Sequence, residues 1–200
     1  MTTELAPALR APLSPPLRLA TKWDAPRLVR FIEAASGGMA PYFWEQKVGA
    51  AGARAYGTER MALRAEAGEW MVIDQGDGPL AGLSGYRIPT NPDPIPADTE
   101  PMFVPLEELE HAAGGTWYVH VLAALPDERG RGHGTRLLAQ AEVEARTTGC
   151  TEMSIIVADN NTGARKLYER TGFVEADRRP MVKGGWQNPG TAWILLRRPL

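Results

Sequence analysis

The chain has 200 residues with 22 Lys and Arg, 24 Asp and Glu and a net charge of −2, a balance that argues against a general nucleic-acid binder with a basic face. Hydrophobic residues make up 44% of the chain but form no run of the roughly 18 residues that a membrane span needs. The single cysteine, Cys150, excludes an intramolecular disulfide and a thiolate metal cluster, so a cytoplasmic protein is the default expectation.

The predicted elements begin after residues 1–16, which are rich in Pro and Ala and are expected to form a disordered tail. Arg10 interrupts the apolar stretch that a secretory signal would require. A short strand around Arg18 is followed by Asp24, which is placed to cap a helix that has Pro26 in its first turn. The apolar residues of this helix recur at helical spacing: Leu28, Phe31, Ile32 and Ala35.

A second helix is predicted over residues 42–48, and two strands over residues 70–74 and 80–88 flank a turn rich in Gly and Asp, as in a hairpin. Residues 90–115 interrupt this pattern and include a short helical stretch around Leu109. This acidic insertion contains no Lys or Arg, and its six carboxylates are Asp93, Asp98, Glu100, Glu107, Glu108 and Glu110. The sequence leaves two interpretations open, a solvated loop and the negatively charged border of a binding site.

From Thr116 the chain alternates between strand and helix patterns. An apolar strand, a glycine-rich turn and a helix with Leu137 on its apolar stripe come first; a second apolar strand, a helix over residues 162–171 and two final strands follow. This order predicts an α/β domain over residues 17–200.

The glycine-rich turn indicates a phosphate site. It comprises Arg129, Gly130, Arg131, Gly132, His133, Gly134 and Thr135, between a strand and a helix. Glycines let backbone N–H groups converge, and the helix adds the positive end of its dipole. A merely tight connection is the alternative, but it needs only one glycine. The turn lacks the Lys of a Walker loop, and it departs from the dinucleotide fingerprint because the third glycine comes one residue early and Asp159, the nearest acid at a strand end, lies too far along.

The pattern Arg/Gln-x-x-Gly-x-Gly/Ala resembles the acetyl-CoA site of the GNAT superfamily of N-acetyltransferases. The strand end Leu122-Ala123-Ala124-Leu125-Pro126 resembles the family's signature, with Ala124 where Val is commoner. The family's second motif is matched by Asn161, Ala164, Leu167-Tyr168 and Gly172-Phe173, so the resemblance covers about residues 116–174. It implies a single GNAT-like α/β domain with a mixed, mostly antiparallel central sheet flanked by helices.

The resemblance also implies a set of residues that bind acetyl-CoA as co-substrate. Backbone N–H groups of residues 129–135 hold the pyrophosphate, and the backbone around Leu122, Ala123 and Ala124 pairs with the pantetheine arm like an added strand. Asn161 either contacts CoA or caps the helix that follows it. Ala164 and Tyr168 complete the expected cofactor site, and no metal is expected.

Two residues are candidates for proton transfer. The family resemblance makes the Tyr168 hydroxyl the acid that protonates the departing thiolate, whereas a core aromatic is the alternative. His120 is the first candidate for the base that takes a proton from the acceptor amine, with packing against the sheet as its alternative. Glu110 and His111 are weaker candidates. Cys150 precedes an apolar strand, as inert structural cysteines do, so a covalent enzyme intermediate is not expected.

The function expected from these residues is transfer of acetyl from acetyl-CoA to a primary amine of a small molecule in a ternary complex. A protein acetyltransferase acting on Lys or an N-terminus, and a CoA-binding module without turnover, are the alternatives. Neither nucleic acid nor a membrane is an expected partner. The acceptor and the oligomeric state, including a homodimer, stay open.

Overall fold

The computed structural model describes residues 11–200, and these form two compact units. The N-terminal unit consists of residues 11–85 with Val121–Ala141; the C-terminal unit consists of Tyr86–His120 with Glu142–Leu200. The first ten residues of the expected tail lie outside the described residues. The single domain over residues 17–200 stays a prediction.

Residues 11–16 were expected to belong to a disordered tail, but in the structure they make contacts with a helix. The side chain of Gln140 donates to the carbonyl of Pro12 at 3.1 Å, and Arg136 donates to the carbonyl of Pro15 at 3.1 Å. Ala11 is buried. This segment therefore packs on the helix that begins at His133.

The N-terminal unit contains β1 (Leu17–Leu19), α1 (Ala25–Ala35), α2 (Met39–Val48), α3 (Ala50–Glu66), β2 (Trp70–Asp74) and most of β3 (Pro79–Arg87). β1 pairs antiparallel with β2, and β2 pairs antiparallel with β3 through the predicted hairpin. The predicted helices after Asp24 and over residues 42–48 are present. α3 was not predicted.

Helix α1 packs closely on the strands in the core of the N-terminal unit. Leu28 and Phe31 of α1 are fully buried against a cluster that includes Trp70. A Cβ on Gly82 of β3 would lie 2.9 Å from the ring of Phe31, so the absence of a side chain there lets α1 pack on the strand.

Asp24 does not cap α1 in the predicted way. Its carboxylate accepts hydrogen bonds from Arg18 at 2.7 and 2.9 Å and from the Thr21 N–H at 2.8 Å. Burial alone would raise the pKa of Asp24, but these hydrogen bonds outweigh it and hold the pKa below its usual range. The carboxylate of Asp24 therefore links β1 to the residues that directly precede α1.

The C-terminal unit contains α4 (Val104–Ala112), β5 (Glu152–Ala158), α6 (Thr162–Arg170), β6 (Val174–Pro180) and β7 (Ala192–Pro199). β4 (Trp117–Ala124) and α5 (His133–Thr147) each run through both units. β4 pairs parallel with β5, whereas β5 with β7 and β7 with β6 are antiparallel. This mixed α/β organisation with mostly antiparallel pairing confirms the predicted fold class.

β6 is the outer strand in this order, and its side chains are mostly exposed and charged. Arg178 pairs with Glu175 at 2.9 Å, and Arg179 pairs with Asp177 at 2.7 Å. Across residues 11–200, no helix combines the length and the apolar composition that crossing a membrane requires.

Candidate active site

The glycine-rich loop (residues 129–135) lies in the N-terminal unit and leads directly into α5. Gly130 and Gly132 have φ angles of +77° and +83°, which side-chain-bearing residues rarely adopt, and a Cβ at either position would point into open space. Gly134, by contrast, lies within the first turn of α5. The first two glycines therefore set the loop's path.

The start of α5 presents backbone donors. The N–H of Arg136 donates to the Gly132 carbonyl at 3.1 Å, which is the first bond of the helix. The N–H groups of His133, Gly134 and Thr135 precede that bond, at the positive end of the helix dipole. The Arg129 N–H differs from the expectation, because it donates to the Pro126 carbonyl at 3.3 Å within the preceding turn.

Charged side chains surround the loop. Glu128 contacts His133 (Nε2 to Oε2, 3.0 Å) and Arg131 (3.4 Å), which ties the His133 ring to the preceding turn. Arg129 and Arg131 are exposed cations. Open space at two positive-φ glycines, a helix N-terminus and two exposed guanidinium groups fit the pyrophosphate of CoA.

The strand end that precedes the loop is half-buried. Leu122, Ala123 and Ala124 follow the stretch of β4 that pairs with β5, which runs from Trp117 to Val119. A groove of about 330 Å³ borders Ala124 and Arg129 within the N-terminal unit. The expected strand-like pairing of this segment with a pantetheine arm stays a prediction.

The second motif lies in the C-terminal unit. The Asn161 side chain accepts a hydrogen bond from the Ala164 N–H at 3.3 Å, so Asn161 caps α6. Tyr168 is 4% exposed, and its ring packs edge-on to Phe173 at 6.0 Å. Burial raises the pKa of Tyr168 well above its usual range, so the phenol keeps its proton. This geometry suits both the core and the acid interpretations.

His120 lies in a group of rings in the C-terminal unit. Its ring centroid is 5.9 Å from that of Tyr86 and 6.0 Å from that of Tyr118, and the two tyrosines are 5.5 Å apart. The Tyr86 hydroxyl donates to Oε2 of Glu110 at 2.9 Å. We call Tyr86, Glu110, Tyr118 and His120 the carboxylate–aromatic cluster.

Glu110 is the unusual titratable group of this cluster. Its pKa is raised to about 7, chiefly because burial disfavours the charged carboxylate and also because Glu107 carries a like charge; the Tyr86 hydrogen bond lowers it in part. Burial, followed by the charges of Glu110, Tyr86 and Tyr168, raises the pKa of Tyr118 well above its usual range. A carboxyl group that titrates near neutral pH among polar rings is a candidate acid or base.

Sequence reasoning ranked Glu110 below His120 and did not single out Tyr86. One signal was available in the sequence, because Glu110 directly follows Leu109, an apolar residue of the predicted helical stretch. In the structure Leu109 is fully buried, so Glu110 flanks the inward face of α4. Tyr86 has no comparable signal. Of the predicted residues, the structure gathers Leu122, Ala123, Ala124 and residues 129–135 in the N-terminal unit, and His120, Asn161, Ala164 and Tyr168 in the C-terminal unit.

The chain matches the acetyltransferase (GNAT) family over residues 37–173. It is 42% identical over 65 residues to an acetyltransferase of Agrobacterium fabrum, covering 32% of this chain and 46% of the relative. It is 34% identical over 61 residues to the N-alpha-acetyltransferase MAK3 of Arabidopsis thaliana, covering 30% and 32% of the two chains. The matched stretches thus span less than half of these relatives.

Solved structures show the same fold. The crystal structure of an acetyltransferase superimposes with a TM-score of 0.61 at 20% identity, covering 92% of this chain and 98% of that one. The PaiA N-acetyltransferase of Thermoplasma acidophilum, solved in complex with coenzyme A, gives a TM-score of 0.57 at 11% identity with the same coverage, 92% and 98%.

Proposed function

Because the chain belongs to the GNAT family of acetyltransferases, we propose that it transfers an acetyl group from acetyl-CoA to a primary amine of a small molecule by direct attack in a ternary complex. The observation that carries the proposal is the glycine-rich loop, whose two positive-φ glycines lead directly into the first backbone N–H groups of α5. We expect the protein to act in the cytoplasm.

Different groups of the chain bind different parts of acetyl-CoA. The N–H groups of His133, Gly134 and Thr135 hold the pyrophosphate, and Arg131 leaves Glu128 to pair with a phosphate. The backbone of Leu122, Ala123 and Ala124 aligns the pantetheine arm. Bound acetyl-CoA supplies a thioester whose carbonyl carbon accepts the nitrogen.

Proton transfer requires two further groups. The acceptor nitrogen is nucleophilic only when neutral, so a base must take its proton, and His120 and Glu110 are the two candidates in the carboxylate–aromatic cluster. Tyr168 keeps its proton and donates it to the departing sulfur. Cys150 is buried and takes no part.

Ligand-induced stabilisation tests the loop. Acetyl-CoA should raise the melting temperature, because it binds the folded loop and not the unfolded chain. Gly132→Glu should abolish this rise, since it places bulk and negative charge where the pyrophosphate binds. Gly49→Glu is the matched control, because Gly49 also has φ of +77°, has nothing within 4 Å of a Cβ and precedes a helix.

Gly49→Glu should keep the acetyl-CoA shift while lowering stability through the same backbone strain. A Gly132→Glu variant that binds acetyl-CoA normally would contradict the proposal. Thiol release from acetyl-CoA, measured across amino acids, polyamines, aminoglycosides and peptides, then identifies the acceptor class.

A protein N-terminal acetyltransferase is the second candidate function. It is favoured by the stretch shared with the N-alpha-acetyltransferase of Arabidopsis thaliana. Thiol release with peptides alone would select it, and acetyl-CoA binding without thiol release for any amine would select a CoA-binding module.

A further inference from the structure

The groove of about 330 Å³ beside Ala124 lies wholly within the N-terminal unit, between α1 and the turn that follows β4. Phe31 and Ala34 contribute to its lining from α1, and Ala124, Leu125 and Pro126 contribute from the end of β4 and the residues after it. None of these five side chains carries a polar or charged group. The groove therefore offers an apolar surface to the body of a small ligand.

Both walls of the groove are held in place by the core of the unit. The ring of Phe31 is 1% exposed and occupies the space that Gly82 of β3 leaves, since a Cβ on Gly82 would lie 2.9 Å from that ring. On the other wall, the N–H of Leu125 donates to the Leu80 carbonyl at 2.9 Å. The groove is therefore pre-formed on fixed elements, as small-molecule sites usually are.

Two arginines bring positive charge to this apolar groove. Arg30 of α1 and Arg129 of the turn after β4 both line it, and both side chains are exposed. Across the part of the chain that the structure describes, neither guanidinium group forms an ion pair, whereas Arg131 pairs with Glu128 at 3.4 Å. Glu33 of α1 is the third charged residue of the lining, so the groove keeps a net positive charge.

Two guanidinium groups beside an apolar surface fit an organic carboxylate. A guanidinium group presents its N–H donors in a planar fork that matches the two oxygens of a carboxylate. The apolar lining matches a short chain of methylenes, which gain free energy by leaving water. A ligand that carries only positive charge would instead be repelled by both arginines.

We propose that this groove binds the carboxylate of the acceptor, so that the substrate class is an amine that also carries a carboxylate on an apolar chain. The inference rests on the proposed function, in which the backbone of Leu122, Ala123 and Ala124 aligns the pantetheine arm. Ala124 also lines the groove, so the carboxylate binds beside the segment that aligns the arm. Arg131 and the N–H groups at the start of α5 are assigned to the pyrophosphate, which leaves Arg129 to the acceptor.

Arginine ¹⁵Nε–¹H NMR of the full chain tests the groove with sodium butyrate as the probe, before any acceptor is known. The signals that are lost in Arg30→Gln and in Arg129→Gln assign the two side chains. Both signals should shift saturably with butyrate and much less with sodium chloride or with butyramide, which has the same chain without the charge. Shorter carboxylates should bind about two- to fourfold more weakly for each methylene removed, because less of the apolar lining is covered.

Three variants of α1 separate the groove from the general charge of the helix, each followed at the Arg129 signal. Arg30→Gln should weaken butyrate binding about three- to tenfold, because a charged donor is lost. Glu33→Gln should strengthen it, because a like charge is removed from the lining. Arg27→Gln is the matched control; it removes the same charge from the same helix outside the lining and should leave butyrate binding nearly unchanged.

Bound CoA distinguishes the acceptor's carboxylate from a phosphate of CoA as the occupant of the groove. Acceptor and CoA bind together in a ternary complex, so saturating CoA should leave the response to butyrate in place. A response that CoA abolishes would assign the groove to a phosphate of CoA and overturn the inference.

A response to butyrate no larger than the response to butyramide or to chloride would also overturn the inference. The proposed function would then stand, provided acetyl-CoA still raises the melting temperature of the unaltered protein. Loss of that acetyl-CoA effect would instead overturn the proposed function, and with it the assignment of the groove to an acceptor.

Discussion

The observed packing of Tyr168 and its proposed role as an acid belong to different parts of one buried side chain. Its ring fills space beside Phe173, whereas only its hydroxyl could supply a proton. The substitution Tyr168→Phe keeps the ring and removes the hydroxyl, so it separates the two roles.

We expect Tyr168→Phe to lower kcat about 10²-fold with little change in acetyl-CoA affinity, because proton transfer by a positioned group contributes on this scale. The melting temperature should hardly change. Steady-state thiol release together with thermal unfolding checks both statements, and unchanged kcat under conditions where chemistry limits the rate would assign Tyr168 to packing alone.

Residues differ in how far the sequence predicts their roles. The glycine-rich loop is contiguous, and its conformation follows from Gly130 and Gly132 themselves, so its geometry is largely as expected. The carboxylate–aromatic cluster is not contiguous: Tyr86 and Glu110 are 24 residues apart and meet only through the fold. One of the two interpretations of the acidic insertion gave Glu108 a part in a negative field, yet Glu108 pairs with Arg179, 71 residues along the chain.

At the scale of elements, α3 is the helix that sequence reasoning missed. Its 17 residues include Gly52 and Gly57, which lower helix propensity, and Gly57 interrupts the buried stripe that Ala53, Met61 and Ala65 form. The reason for Gly57 is tertiary, because a Cβ there would lie 2.4 Å from the ring of Trp44 in α2. The contact between α2 and α3 therefore requires a residue that is unfavourable for the helix alone.

This contact predicts opposite outcomes for two similar substitutions. Gly57→Ala should destabilise the protein by about 1–3 kcal/mol through overpacking against Trp44, although Ala favours the helix. Gly52→Ala meets only the flexible Val48 side chain at 3.3 Å and should be neutral or slightly stabilising. Urea unfolding of both variants checks this, and equal free energies of unfolding would contradict the packing argument.

For the whole molecule, Glu110 makes stability depend on pH. Its pKa when folded, about 7, lies above its ordinary value of 4.5. Its contribution to stability is therefore complete below pH 4.5 and is lost as the pH rises to 7, because the folded state binds the proton more tightly. Burying this carboxyl group costs stability at neutral pH.

Glu110→Gln should accordingly raise the melting temperature at pH 8 and leave it nearly unchanged at pH 4. The amide has no charge to bury and can still accept the Tyr86 hydrogen bond. Thermal unfolding of the variant and the unaltered protein at both pH values gives the comparison, and a difference that is the same at pH 4 and pH 8 would show that the charge of Glu110 is not its source.

The exposed, charged outer strand β6 has a consequence for behaviour at high concentration. An uncovered strand edge invites backbone pairing with another molecule, the first step towards aggregation. Glu175, Asp177, Arg178 and Arg179 oppose such pairing, since an approaching copy would have to strip water from their charges. At the far side of the N-terminal unit's strands, β1 has only three residues and gives little length to pair with. Both edges thus favour colloidal stability.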